Sequence, residues 1–403
     1  MRLRRRASRE VRALRPGEVA AFVAAVEAEF DFRFDAAGRR RHEQAVDLDR
    51  SLAAFERGDV IATLSAYVTE IGLPGGVNAE ATALVDIGVV AERRGRGLAR
   101  ALITAFLSEA LARGEALAVL NTEILGFYEP FGFGVATTSW STTLLASGDA
   151  LVGDSDALGT VHLIEASEAA TSLPEIFATV QLRRVGEVFR TSSWWEEHLA
   201  DAAGARIPTE FAVVERDEGR RGYVAFVRPT QRSESVVVAE LVAQDDGHAG
   251  QLIDFVRAVG GGAQVRLRAQ PYDVITAFDG AAADRIASPQ LWLRILDVEQ
   301  ALSLRRYAAA SRTVLALRDE LLDANGGHFL LKTHADGTAT VARCKEVAAV
   351  TLDVGALARV FLGGSTFADL VESGEIVLTD DTALAPLDLA FSVPMAPFCS
   401  TLL

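Results

Sequence analysis

Lysine is almost missing from this chain: of its 40 basic residues, only Lys332 and Lys345 are not arginine. That bias reflects coding composition and points to no activity. Cysteine is nearly as scarce. Cys344 and Cys399 are far apart and lack metal-ligand spacing, which excludes a disulfide framework and fits a reducing, cytoplasmic compartment. The six histidines, among them His162, His248, His328 and His334, do not cluster, so no metal site is expected. No apolar run approaches the roughly 18 residues that cross a bilayer, so no membrane partner is expected. The opening Met1-Arg2-Leu3-Arg4-Arg5-Arg6 is basic but is not followed by the apolar stretch of a secretory signal, and reads as a solvated arm. Positive charge is also outweighed: the net charge is −15. This argues against nucleic acid as a general partner and is compatible with cationic substrates, although acidity also serves solubility alone.

What the chain does have is length and ordinary globular composition. Its 403 residues exceed one core and imply two or three domains. Apolar runs at 51–56 and 60–67 flank Arg57-Gly58-Asp59 and predict a β-hairpin. Helical spacing covers 17–30, and 31–47 reads as a charged loop. Pro74-Gly75-Gly76 marks a turn, 81–90 a buried strand, 95–113 an amphipathic helix, and 116–122 and 136–145 further strands. A soft boundary falls at Ser147-Gly148-Asp149. The block 160–288 repeats this style, with a helix expected at 176–188 and a hairpin joining 211–214 to 223–226. It has no Arg-x-x-Gly-x-Gly/Ala match between its last strand and helix, and Gly260-Gly261-Gly262 comes after the helix, so it reads as a repeat without a cofactor loop. A third block begins at Leu291 and ends in the uncharged run 395–403.

The strand–turn–helix around Arg94-Gly95-Arg96-Gly97-Leu98-Ala99 is the arrangement that offers unpaired backbone N–H groups to an anion. Glycines let the backbone approach a phosphate, and Arg93, Arg94 and Arg96 add charge. These residues resemble the Arg/Gln-x-x-Gly-x-Gly/Ala signature of the GNAT N-acetyltransferases. Gly126-Phe127-Tyr128-Glu129-Pro130-Phe131-Gly132-Phe133-Gly134, Pro74-Gly75-Gly76, Leu291-Trp292-Leu293-Arg294 and the terminal Pro-Phe-Cys are similar to one branch, the enhanced intracellular survival (Eis) acetyltransferases. The resemblance spans the chain. It implies an α/β (α+β) fold class: a GNAT domain at 1–150, a degenerate GNAT-like domain at 151–289 and a sterol-carrier-like domain at 290–403.

The resemblance also implies acetyl-CoA as co-substrate, with Ile87, Gly88 and Val89 along its acetyl and pantetheine part. Arg94, Gly95, Arg96, Gly97, Leu98, Ala99 and Arg100 would lie at the pyrophosphate, and Thr122 and Glu123 correspond to a Ser-Glu pair near the cofactor. Tyr128 would be the general acid and the α-carboxylate of Leu403 the base. Asp31 is a candidate acceptor contact, with Glu27 and Glu29 nearby. The implied partners are an amine of a cationic small molecule, aminoglycosides among them, and five further copies in a homohexamer. From the residues alone, Tyr128 could equally plug a hydrophobic turn, and the tail could simply dock in a groove. Trp194-Trp195 could line a substrate wall or, more in keeping with their size, make a core or interdomain contact. A non-catalytic acyl-CoA- or lipid-binding module is the alternative from another class.

Overall fold

The computed structural model describes residues 9–145, 159–181, 184–204, 209–216, 219–229, 235–278 and 282–403. The basic arm and the boundary expected at 147–149, with the division between 150 and 151, lie outside these residues.

Three mixed sheets organise the described residues. The first runs Arg9–Ala13, Leu52–Glu56, Asp59–Leu73, Val77–Val89, Leu117–Asn121, Leu291–Ile295, Phe133–Val135. Its one parallel neighbour pair is Val77–Val89 with Leu117–Asn121. The second runs Ile286–Pro289, Thr138–Leu144, Val265–Gln270, Val236–Ala243, Gly219–Val227, Glu210–Arg216, Thr160–Ile164, and its one parallel pair is Val236–Ala243 with Val265–Gln270. The repeat read from the sequence is therefore a repeat of topology. The third sheet has five strands and is built from residues 311–378.

Two strands cross the expected blocks. Thr138–Leu144, from the first, belongs to the second sheet, and Leu291–Ile295, expected to open the third block, sits inside the first sheet. All five residues of Leu-Trp-Leu-Arg-Ile are buried, as befits a central strand covered on both faces. Trp292 packs with the helix Leu98–Ala112 on one side. Leu291, Leu293 and Ile295 join a core on the other side that reaches the third sheet. Arg294, fully buried, donates to Asp319 at 2.6 Å. This strand thus ties the first sheet to the C-terminal domain.

Two helices differ from expectation. The stretch read as a charged loop contains the helix Ala36–Ala45, started by Asp35, whose side chain accepts from the Gly38 N–H at 2.6 Å. Its sequence is polar on every face, so it lacks the apolar period of a buried helix. In the second block the helix is Ala166–Gln181, with Ala169, Leu173, Ile176 and Phe177 on its buried face.

Candidate active site

The parallel pair in the first sheet is short: Thr82 faces Ala118 and Ala83 faces Val119, and there the pairing stops. Val77–Val89 continues alone, its residues 85–89 only partly covered. On its other side it bulges: Thr63 faces Gly88 and Ser65 faces Val85, so Asp86 and Ile87 share the space opposite Leu64. Asp86 takes a φ of 52° at that bulge, rare for a residue with a Cβ. The two strands splay into a cleft whose wall is free backbone.

Beyond the strand, Gly95 and Gly97 have φ of 70° and 76°, and a Cβ at either would point into open space. The glycines are required by backbone conformation, and the turn stands clear for a ligand. Gly97 caps the helix Leu98–Ala112 without a side chain. The first intrahelical bond runs from Ala101 N–H to Gly97 O, which leaves the N–H groups of Leu98, Ala99 and Arg100 facing outward. The arginines divide their work. Arg93 pairs with Glu56, and Arg96 donates to the Glu92 carbonyl. Arg94 donates to the carbonyls of Val89 and Glu29, both at 3.0 Å, binding the turn to the first helix.

Glu29 ends that helix, Val19–Glu29, and is 7% exposed. Its Oε2 lies 2.5 Å from Thr63 Oγ1, which lies 2.7 Å from the Asp86 carbonyl. A hydroxyl has one proton, so both contacts are hydrogen bonds only when a protonated Glu29 donates through Oε2 to Thr63 and Thr63 donates to Asp86; Glu29 Oε1 is buried without a partner. Burial pushes the Glu29 carboxyl up to about 7, consistent with that protonated form. Beside it, His42 Nε2 is 3.1 Å from Asp86 Oδ2. Burial opposes charge on this imidazole, but Asp86, with Glu197 and Glu27 beyond, holds its pKa above the usual value.

Tyr128, 7% exposed, packs against Phe127 (4.8 Å between ring centres) and Phe133 (5.8 Å), in a core cluster that also holds Leu120 of the other strand. Burial lifts its hydroxyl pKa to about 12. The glycines that follow it are fixed by packing. A Cβ on Gly132 would meet Val354 and Arg294, and one on Gly134 would come within 2.3 Å of the Gly355 carbonyl. The chain's last residue meets the end of the strand Leu117–Asn121. The Leu403 N–H donates to Asn121 Oδ1 at 2.8 Å, while the Asn121 amide is oriented by the Gln290 carbonyl, also at 2.8 Å. One residue earlier, the Leu402 carbonyl accepts from Trp194 Nε1 at 2.8 Å.

Comparison with known proteins agrees with this architecture. Residues 10–136 and 186–295 match acetyltransferase (GNAT) domain models, and 298–400 match a sterol carrier protein domain. A protein of Streptomyces griseus named as an N-acetyltransferase is 28% identical over 97% of this chain and 99% of its own length. The N-acetyltransferase Eis of Mycobacterium tuberculosis is 26% identical over 83% of this chain and 84% of its own. The crystal structure of Eis1 from Mycobacterium abscessus superposes with a TM-score of 0.83 at 25% identity, covering 98% of this chain and all of that one. The chain is an Eis-type GNAT acetyltransferase with a C-terminal sterol-carrier-like domain.

In this acetyltransferase the GNAT domain implies acetyl-CoA as co-substrate, and the open turn with its outward N–H groups suits a pyrophosphate. The residues expected from sequence at 87–89 and 94–100 line one continuous strand, turn and helix start. Thr122 serves the turn that follows its strand, its hydroxyl accepting from the Ile124 N–H, and Glu123 is exposed. Asp31 is exposed just past the first helix at a φ of 54°. Glu27 is taken up by Arg33, Arg39 and the Phe34 N–H. Trp195 is a core residue against Phe177, whereas Trp194 meets the tail. Sequence reasoning missed His42, Asp86, Asn121 and Glu197. His42 and Glu197 sit among other charged residues and Asp86 and Asn121 in apolar strands, and nothing in the local pattern distinguishes any of them.

Proposed function

We propose that the enzyme moves the acetyl group of acetyl-CoA to an amine of a cationic small molecule of the aminoglycoside type. The α-carboxylate of Leu403 accepts the amine's proton, and Tyr128 protonates the departing thiol. The observation that carries this reading is the bond from the Leu403 N–H to Asn121, the last residue of the splayed strand. In the reaction a C–N bond forms, the C–S bond breaks, and the proton lost from nitrogen balances the one gained by sulfur. A tyrosine held near 12 is a weaker acid than a thiol of about 8.5, so complete transfer to free thiolate is uphill by roughly 5 kcal/mol. Tyr128 therefore gives its proton in concert with C–S cleavage. An α-carboxyl has an ordinary pKa of about 3.5, so it takes the proton as the C–N bond forms rather than from the free ammonium.

The acceptor class is supported by acidic groups on the first helix's side of the cleft. Asp86 belongs to the first fold, and Glu197 acts electrostatically on both His42 and Tyr67 from the second. By the same resemblance the working form is a homohexamer, and the sparse, unpaired cysteines support a cytoplasmic setting. The test is release of free thiol from acetyl-CoA with a panel of amines. Turnover confined to polycationic acceptors is expected, and equal turnover of neutral-backbone monoamines would overturn the acceptor class. Sedimentation velocity checks the hexamer.

A further inference from the structure

The second fold carries the same cleft as the first. Its parallel strands pair only at Val236 with Val265, Val237 with Arg266 and Val238 with Leu267. On the other side Ala225 faces Glu240 and Phe226 faces Val238, so Ala239 is the extra residue of a bulge, as in the cofactor strand. A GNAT fold uses such a splay for its acyl donor. Here Gln244-Asp245-Asp246-Gly247-His248-Ala249 keeps the spacing of the signature, but the helix starts at Asp246 and the Asp245 carboxylate accepts from the His248 N–H at 3.0 Å, where an anion would sit; the space beside the strand is shared with the chain's own C-terminal segment. A residual cavity of about 90 Å³ is bordered by Glu240, Ala269, Glu187, Phe398, Ser400 and Leu402.

The segment is held there by buried charge. Glu187, 2% exposed, accepts from the N–H groups of Ser400 (2.9 Å) and Thr401 (3.1 Å) and from their hydroxyls (2.9 and 2.8 Å). Arg190, 4% exposed, donates to Ser400 Oγ at 2.9 Å and Thr401 Oγ1 at 3.0 Å. Its guanidinium also pairs with Glu240 at 2.6 Å and stacks on Phe177 and Trp194. Two hydroxyl residues in an otherwise apolar tail thus meet a carboxylate and a guanidinium at side-chain distance. Charge-assisted bonds of this kind fix geometry more firmly than neutral ones.

We propose that the acyl-donor cleft of the second GNAT fold has become the receptor for the chain's own tail, with Glu187 and Arg190 as positioning residues for the terminal carboxylate. The catalytic part of this rests on the proposed role of Leu403; the receptor part does not. The segment carrying Glu187 and Arg190 is itself fastened to the first fold. Gly186 N–H donates to the Gly72 carbonyl, Gly72 N–H to Glu187, and Phe189 N–H to Glu70. A tail held by Glu187 is therefore held in register with the strand Asp59–Leu73, which backs the cofactor strand.

Timed digestion of the full-length protein with a carboxypeptidase that removes leucine reads the tail directly. Glu187→Ala is expected to lose Leu403 and Leu402 at least about tenfold faster than wild type, as a freed terminus does. Its kcat should fall by roughly 10²-fold, the scale of a small misplacement of a reacting group, with KM for acetyl-CoA unchanged. Glu187→Gln, which keeps the shape, should recover part of both. If Glu187→Ala fails to fold, Ser400→Ala with Thr401→Val removes the partner hydroxyls from the tail side and carries the same expectations. Leucine release at the wild-type rate in the folded variants overturns the receptor. Fast release with wild-type kcat overturns the positioning role. In that case a C-terminally extended protein with full activity would show that the terminal carboxylate is not the base, a separate failure.

Discussion

Glu29 occupies the space that a Cβ on Gly88 would need: that atom would lie 2.2 Å from Glu29 Oε2. The end of the first helix and the bulged strand have therefore been fitted to each other at the one position of the strand without a side chain. Gly88→Ala should push the carboxyl away from Thr63 and destabilise by about 1–3 kcal/mol, the usual cost of overpacking. Combined with Glu29→Ala the collision disappears. The double variant should thus be more stable than the sum of the single changes, measured by denaturant midpoints in a double-mutant cycle. Simple additivity would mean the two residues do not meet.

The buried Glu29 carboxyl also sets a pH dependence. Its folded pKa of about 7 exceeds the ordinary value of 4.5, so the folded state binds this proton more tightly than the unfolded chain. The resulting penalty is absent at low pH, grows between 4.5 and 7, and is constant above, on the order of 3 kcal/mol. Glu29→Gln, which can still donate to Thr63, should raise Tm at pH 8 and leave it nearly unchanged at pH 4.5. Equal effects at both values would show that the carboxyl is not held in its neutral form.

Tyr128→Phe keeps the ring contacts with Phe127 and Phe133 and removes the hydroxyl. Acetyl-CoA binding should persist while kcat drops about 10²–10⁴-fold, the range of general acid–base groups. With a pKa near 12, Tyr128 stays protonated across the working range, so the alkaline limb of the wild-type kcat profile should not come from this residue. A variant at wild-type kcat would make Tyr128 a packing residue.

Gly97→Val places a β-branched residue at a φ of 76°, where L residues are strained by roughly 1–2 kcal/mol, and sets a side chain in the open turn. Calorimetric titration should show severely weakened CoA binding with the three cores intact. Unchanged affinity would remove the pyrophosphate from this turn.

Appending a few residues after Leu403 should abolish acetyl transfer while CoA affinity and Tm stay near normal. The added chain carries the carboxylate away from Asn121. Full kcat in the extended protein would exclude the terminus as base.

Much of the site could be read in the sequence because it is local. The glycines at 95 and 97 sit between an apolar strand and a helix of regular period, and Tyr128 sits in a turn whose glycines are demanded by nearby packing. What could not be read is long-range. Nothing in the apolar run 291–295 says that it pairs with 117–121 rather than with the third sheet. Glu187 and Arg190 look like surface charges until residues more than 200 positions later bury them. His42 and Asp86 are 44 positions apart, and only the bulge at Asp86 brings them together. The helix at 36–45 was missed because a polar sequence gives no period to detect.

The insertion of Leu291–Ile295 into the first sheet has a consequence for biosynthesis. When Leu117–Asn121 leaves the ribosome, its neighbour in the finished sheet is still 170 residues from being made. At roughly 5–20 residues per second, the strand waits about ten to thirty seconds with one edge unpaired, a template for any passing strand. The nascent N-terminal domain carries that open edge until Ile295 is made, and no fragment ending before it can complete the sheet.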